Sequence, residues 1–209
     1  MKKILVIVLT LFALLLMGCG TINVNHKLHS DWTSDITLEV VSESEPFINL
    51  VKTGLESSLP GAVEIETEDG VMYQLENVKA SDLAINQTTV FNSFGIKKEF
   101  KFPNYYYTLT WDMSGSEEED SASQVAGMGI GFNYILTPFG KITDTNGVYV
   151  GEDKKAVKFN MLSPKKYYVT FKQSFVSAWL SGSSKVTDRD AVTVAGSPIG
   201  ETDSETLDW

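Results

Sequence analysis

AVEIETEDGVMYQL, residues 62–75, alternates apolar and polar side chains on both sides of Asp69-Gly70. Val63 and Ile65 share one face of the first arm; Val71, Tyr73 and Leu75 share one face of the second. A period of two marks a strand with one buried face, and Asp-Gly between two such runs marks a tight hairpin. A hairpin is antiparallel by construction, so an antiparallel sheet is the expected centre of the fold.

Working outward, the flanking sequence extends that sheet and sets a helix beside it. Upstream, Ser44-Glu45-Pro46 reads as a helix start, and Phe47, Val51, Leu55 and Leu59 recur at helical spacing before Pro60-Gly61 stops the run. Further upstream, Ile22, Val24, His26 and Leu28 alternate, as do Ile36, Leu38 and Val40, with His29-Ser30-Asp31 as the turn between two strands. Downstream, Ala80 to Thr89 reads as a short second helix. Phe100 and Phe102 precede a turn at Pro103-Asn104, after which Tyr105, Tyr107, Leu109, Trp111 and Met113 occupy one face of a long strand. A charged loop, Ser114 to Ser123, leads to a strand expected from Val125 to Thr137. Turns at Pro138-Phe139-Gly140 and Asn146-Gly147 follow, then strands over Ala156 to Leu162 and Lys166 to Phe175, joined across Ser163-Pro164. Asp188 to Trp209 has no sustained periodicity and reads as a mobile tail. The expected fold class is α+β: a largely antiparallel sheet with one or two helices packed on it.

The N-terminus follows a different pattern. Lys2 and Lys3 precede an apolar run, Ile4 to Met17, broken only by Thr10. The run is shorter than the ~20 residues a membrane-spanning helix needs and has the flanks of a secretory signal. Leu16-Met17-Gly18-Cys19 resembles the bacterial lipobox, with an aliphatic residue three places before the cysteine and a small residue directly before it. That resemblance implies that residues 1–18 are removed and that Cys19 is acylated, as by palmitate, and becomes the first residue of the mature protein. Cys19 is the only cysteine, so no disulfide is available and stability must come from packing. The expected organisation is a signal peptide over 1–18, an extracytoplasmic domain over 19–180 and a polar, acidic tail over 181–209.

Composition narrows the partners. The chain is 43% hydrophobic, enough for a core, and carries a formal charge of −10, which falls to −12 once Lys2 and Lys3 are gone. Such an acidic chain is a poor match for nucleic acid or for electrostatic docking on anionic lipid, both of which need basic patches.

The segment from Phe132 to Leu162, FNYILTPFGKITDTNGVYVGEDKKAVKFNML, resembles the core of the LppM-type lipoprotein domain family. The likeness rests on an apolar strand, a turn with Pro138 and Gly140, Ile142, the Thr145-Asn146-Gly147 turn and a closing strand over Val157 to Leu162. The order that precedes it, a lipidated cysteine, two strands, an amphipathic helix and a hairpin, is similar too. Phe139 between the proline and glycine, and Phe159 where tryptophan is more usual, depart from the pattern. The resemblance implies a membrane-anchored extracytoplasmic domain and carries over no catalytic residue.

Candidate chemistry is sparse. His26 and His29 are the only histidines, and on one strand they point to opposite faces, which disfavours a shared metal ion. Glu117 to Asp120 reads as a solvated charge run, and Asp144 to Gly147 as a turn rather than a calcium loop. No metal or other cofactor is expected. AGMGIGF, residues 126–132, has glycine at every second position. On a strand, Gly127, Gly129 and Gly131 would leave one face bare, for close packing or for a groove in which an amphiphile lies. Tyr105, Tyr107 and Trp111 are candidate walls for such a groove. The expectation is a non-catalytic binding or interaction module, lipid-anchored on the extracytoplasmic side of the cell membrane. Its partners would be a membrane lipid or an envelope protein. A structural, protein-contact role without a small ligand is the alternative, and an enzyme built on a carboxylate pair stands third.

Overall fold

The computed structural model describes residues 20–58, 61–79, 93–112, 126–127, 129–163, 165–185 and 189–193. Two strands open the fold, β1 (Gly20–Leu28) and β2 (Thr33–Ser42), followed by helix α1 (Glu45–Ser58) and the hairpin β3 (Val63–Thr67) and β4 (Gly70–Lys79). Then come β5 (Ser93–Lys101), β6 (Asn104–Asp112), β7 (Gly131–Thr137), β8 (Lys141–Thr145), β9 (Val148–Val150), β10 (Ala156–Asn160) and β11 (Lys166–Ser174). A short helix α2 (Phe175–Ser181), one 3-10 turn (Ser183–Lys185) and β12 (Arg189–Thr193) close it.

The strands form two sheets. Seven run in the order β3-β4-β2-β1-β7-β10-β9, and five in the order β12-β5-β6-β11-β8. All pairs are antiparallel except β1 with β7. The α+β, largely antiparallel class read from the sequence is what the chain adopts, with the strands divided between two sheets. Their facing sides share one core. Val24, Leu136 and Phe159 of the larger sheet meet Leu109, Val169 and Phe171 of the smaller. The face of the longer sheet around β2 and β4 is covered by α1, whose Phe47, Val51 and Leu55 pack with Val40, Val71 and Tyr73. Ile22 and Leu38 touch both clusters, so helix and second sheet lie on the same side. Lys52 on α1 reaches Glu64 on β3 at 2.6 Å and ties the helix to the hairpin.

Several expectations need correcting. Glu68-Asp69 forms the hairpin turn, and Gly70 is already the first residue of β4, paired with Thr67. The strand expected from Val125 begins only at Gly131: Ala126 and Gly127 are helical, and Gly129 has φ of 74° with its amide donating to the Ala126 carbonyl. Lys166 to Ser174 is a strand, but Phe175 starts α2. The Ser174 hydroxyl caps that helix by accepting from the Ser177 amide, and Gly182 ends it in the left-handed region. Inside the segment read as a tail, β12 pairs with β5. The expected helix over Ala80 to Thr89, Met113, the Ser114 to Ser123 loop and Cys19 lie outside the described residues.

The β1–β2 connection sets two opposing effects against each other. Trp32 has φ of 67°, a conformation that costs a bulky residue ~1 kcal/mol or more. Its ring packs edge-on against Tyr107 and Phe139, with centroids 5.5 and 5.4 Å away. Burying most of an indole against two rings is worth several times the backbone cost, so tryptophan holds a position that local preference would give to glycine.

Candidate functional site

The aromatic face read along β6 exists, but most of it is interior. Tyr107 and Trp111 are buried, and Trp111 contacts Tyr134 and Phe159 across the gap between sheets, with centroids 5.5 and 5.7 Å away. Only Tyr105 reaches the surface, between Phe100 and Phe175. The three glycines do not share a strand face. Gly127 and Gly129 precede the strand, and Gly131 opens β7 beside the Thr21 side chain of β1. A bare glycine face walled by Tyr105, Tyr107 and Trp111 is therefore not formed.

His26 stands on the core-facing side of β1, in line with Val24 and Leu28. Its ring, half-buried on the inner face of β1, contacts the Tyr134 hydroxyl through Nδ1 and the Ser34 hydroxyl through Nε2 at 2.7 Å. Burial, reinforced by His29, lowers its pKa to about 4, so at neutral pH the imidazole is uncharged and satisfies one hydroxyl as donor and the other as acceptor. Burial also pushes the Tyr134 phenol upward. A serine beside a histidine has the form of a nucleophile and its base. Ser34, however, is 1% exposed on β2, opposite Leu28 of β1, where its oxygen faces the histidine and no open surface. The arrangement satisfies three polar groups inside a core. His29, in the turn after β1, sits with Nε2 2.8 Å from Asp35, which Lys27 also approaches at 3.7 Å. The two histidines hold different partners, and His29 lies in the turn after β1 rather than on the strand. No group of three metal-ligating side chains occurs among the described residues. The Asp144 to Gly147 stretch is a turn stapled to β11: the Asn146 amide donates to the Lys166 carbonyl at 2.7 Å and its oxygen accepts from the Tyr168 amide at 2.9 Å.

Two further surface features lie beside one another around α2. The first is apolar. Phe100 and Phe102 at the β5–β6 tip, with Phe175, Val176, Trp179 and Leu180 on α2, are all exposed, and Phe100 and Tyr105 both touch the Phe175 ring. Phe102 reaches 87% exposure, far beyond what a core-forming aromatic shows. The signal for this surface was present in the FVSAWLS run, whose apolar residues fall on more than one side of a short helix with only Ala178 buried. The second is a polar cleft of about 550 Å³ beside it, lined by Lys27, His29, Phe139, Lys141, Lys172 and Ser177 among others. Lys141 and Lys172 are paired across β8 and β11 there, while the Lys27 ammonium lies 3.7 Å from Asp35.

The fold resembles the NMR structure of the folded domain of LppM from Mycobacterium tuberculosis, with a TM-score of 0.43 and 7% identity, over 76% of this chain and 92% of that one. No family model and no curated protein matches the chain. No helix among the described residues is long and apolar enough to cross a membrane.

Proposed function

We propose that this protein is a lipid-anchored envelope lipoprotein whose folded domain is a non-catalytic binding or interaction module at the membrane. The observation that carries the binding role is the apolar surface made by Phe100, Phe102, Phe175, Val176, Trp179 and Leu180. Exposed apolar residues grouped on two adjacent elements, with Phe100 and Tyr105 against the Phe175 ring, mark contact surfaces, whereas single exposed apolar residues are ordinary. The lipid anchor is supported by the basic, apolar and small-residue order that ends at Cys19. β1 begins at Gly20, the next residue, so acyl chains on Cys19 would hold the domain with no intervening linker. Two such chains give stable anchoring. A non-catalytic role is supported by the inaccessible Ser34 and by the two ring nitrogens of His26 being occupied.

Incorporation of labelled palmitate into the wild type and into Cys19→Ala tests the anchor, and unchanged labelling in the variant would overturn it. Native mass spectrometry of residues 20–209 purified from cells tests the ligand. A co-purifying lipid mass supports amphiphile binding. A bare domain that captures an envelope protein through the aromatic surface supports the protein-contact alternative.

A further inference from the structure

Lys141 of β8 and Lys172 of β11 are direct cross-strand partners. Their neighbours Ile142 and Phe171, also paired, point into the core, so both lysines project from the outer face. Residues directly opposite on adjacent strands hold their Cβ atoms ~5 Å apart, and like charges there destabilise the sheet. Acidic residues outnumber basic ones in this chain, 27 to 17, so a compensating carboxylate would be the ordinary solution. Among the described residues neither lysine makes an ion pair. The backbone keeps them together. A Cβ on Gly140 would lie 2.5 Å from the Lys172 carbonyl oxygen, so the β7–β8 turn is pressed against β11 and Lys141 is held beside Lys172. Lys27, whose ammonium lies 3.7 Å from Asp35, and Phe139 also line the cleft.

We infer that this cleft binds a phosphoryl group, with Lys141 and Lys172 as its ligands. A tetrahedral anion with several acceptor oxygens can bridge two adjacent ammonium groups and converts their repulsion into attraction, which a single exposed carboxylate does less well. The cleft volume of about 550 Å³ leaves room for the remainder of the ligand against Phe139. The acidic net charge does not oppose this, because the field at a site is set by the groups within about a Debye length, ~8–10 Å, of it. The inference deepens the binding-module reading, and rests on it, by naming the chemistry of the ligand. The phosphoryl group is carried either by a lipid headgroup or by a free phosphate compound.

The test uses a chain starting at Gly20, which keeps every described element. It is titrated with inorganic phosphate and, separately, with monomeric dihexanoylphosphatidic acid, by calorimetry and by thermal midpoint at constant ionic strength. Saturable binding of at least one probe is expected, with a concentration-dependent rise in midpoint. Lys141→Gln/Lys172→Gln should weaken it at least ~10-fold while melting no lower than the wild type without ligand, since a repulsive pair has been removed. Lys141→Arg keeps the charge and should keep the binding. Tighter binding of the lipid, reduced by Phe139→Ala, supports a headgroup; equal binding of both probes supports a free phosphate compound. Absence of saturable binding by either probe would overturn the proposal, as would an equal midpoint rise with chloride or binding unchanged in the double variant. The acyl anchor plays no part in this assay, and a lipid co-purifying on the aromatic surface would leave the binding-module reading standing even if the phosphate titration failed.

Discussion

Gly70 of β4 lies so close to β2 that a Cβ on it would sit 1.9 Å from the Val40 carbonyl oxygen. Its φ is not positive, so the residue is glycine because two backbones touch and not because the turn needs a left-handed conformation. Gly70→Ala would force β4 away from β2 next to the fully buried pair Val40 and Val71. The expected loss is ~1–3 kcal/mol or more, measured by urea unfolding. An unchanged midpoint would mean that the hairpin is not pinned at this point.

Trp32 provides a second test of magnitudes. Trp32→Gly relieves the positive φ, a gain of ~1 kcal/mol, but deletes the ring that contacts Tyr107 and Phe139. Loss of a large aromatic from a packed site costs ~3–5 kcal/mol, less where the site is partly open, as here. The variant should therefore be less stable by about 2 kcal/mol. A more stable variant would show that the backbone conformation outweighs the packing.

His26 makes stability depend on pH. The unfolded chain takes up the proton near pH 6.5, whereas the folded protein takes it up only near pH 4. Between those values the unfolded state binds more protons, so stability rises with pH across the window. The contribution is complete above pH 6.5 and is lost progressively down to about pH 4. The difference corresponds to at most ~3 kcal/mol. His26→Gln should lower stability at pH 7, because Ser34 and Tyr134 lose a matched partner, and should flatten the slope between pH 4 and 6.5. Equal slopes in variant and wild type would assign the acid sensitivity elsewhere.

Truncation after Lys185 removes β12 and uncovers the edge of β5. With the ladder bonds gone, a fall of ~1–2 kcal/mol, or several degrees in thermal midpoint, is expected. A midpoint equal to that of the full chain would show that β12 adds nothing to the folded domain.

The sequence alone determined the elements whose signal is local. The alternation in Ile22 to Leu28 and in Tyr105 to Trp111, the helical spacing of Phe47, Val51 and Leu55, and the Asp69-Gly70 hairpin each reflect periodicity within about ten residues, and each element is present. Ser174 and Gly182, cap and stop on either side of the FVSAWLS run, are local signals for α2 as well.

What periodicity cannot carry is which strands face one another. Only tertiary structure decided that β10 and β11, neighbours in sequence, lie in different sheets, and that β1 pairs in parallel with β7 more than a hundred residues away. The same holds for the functional surfaces. Gly127, Gly129 and Gly131 share a face only if the strand begins early, and the chain turns helical at Ala126 instead. Lys141 and Lys172 are far apart in sequence and become neighbours because β8 pairs with β11 and the β7–β8 turn is pressed against it. Long-range pairing is set by the burial of whole faces, a sum over many distant contacts, and no window of sequence contains that sum.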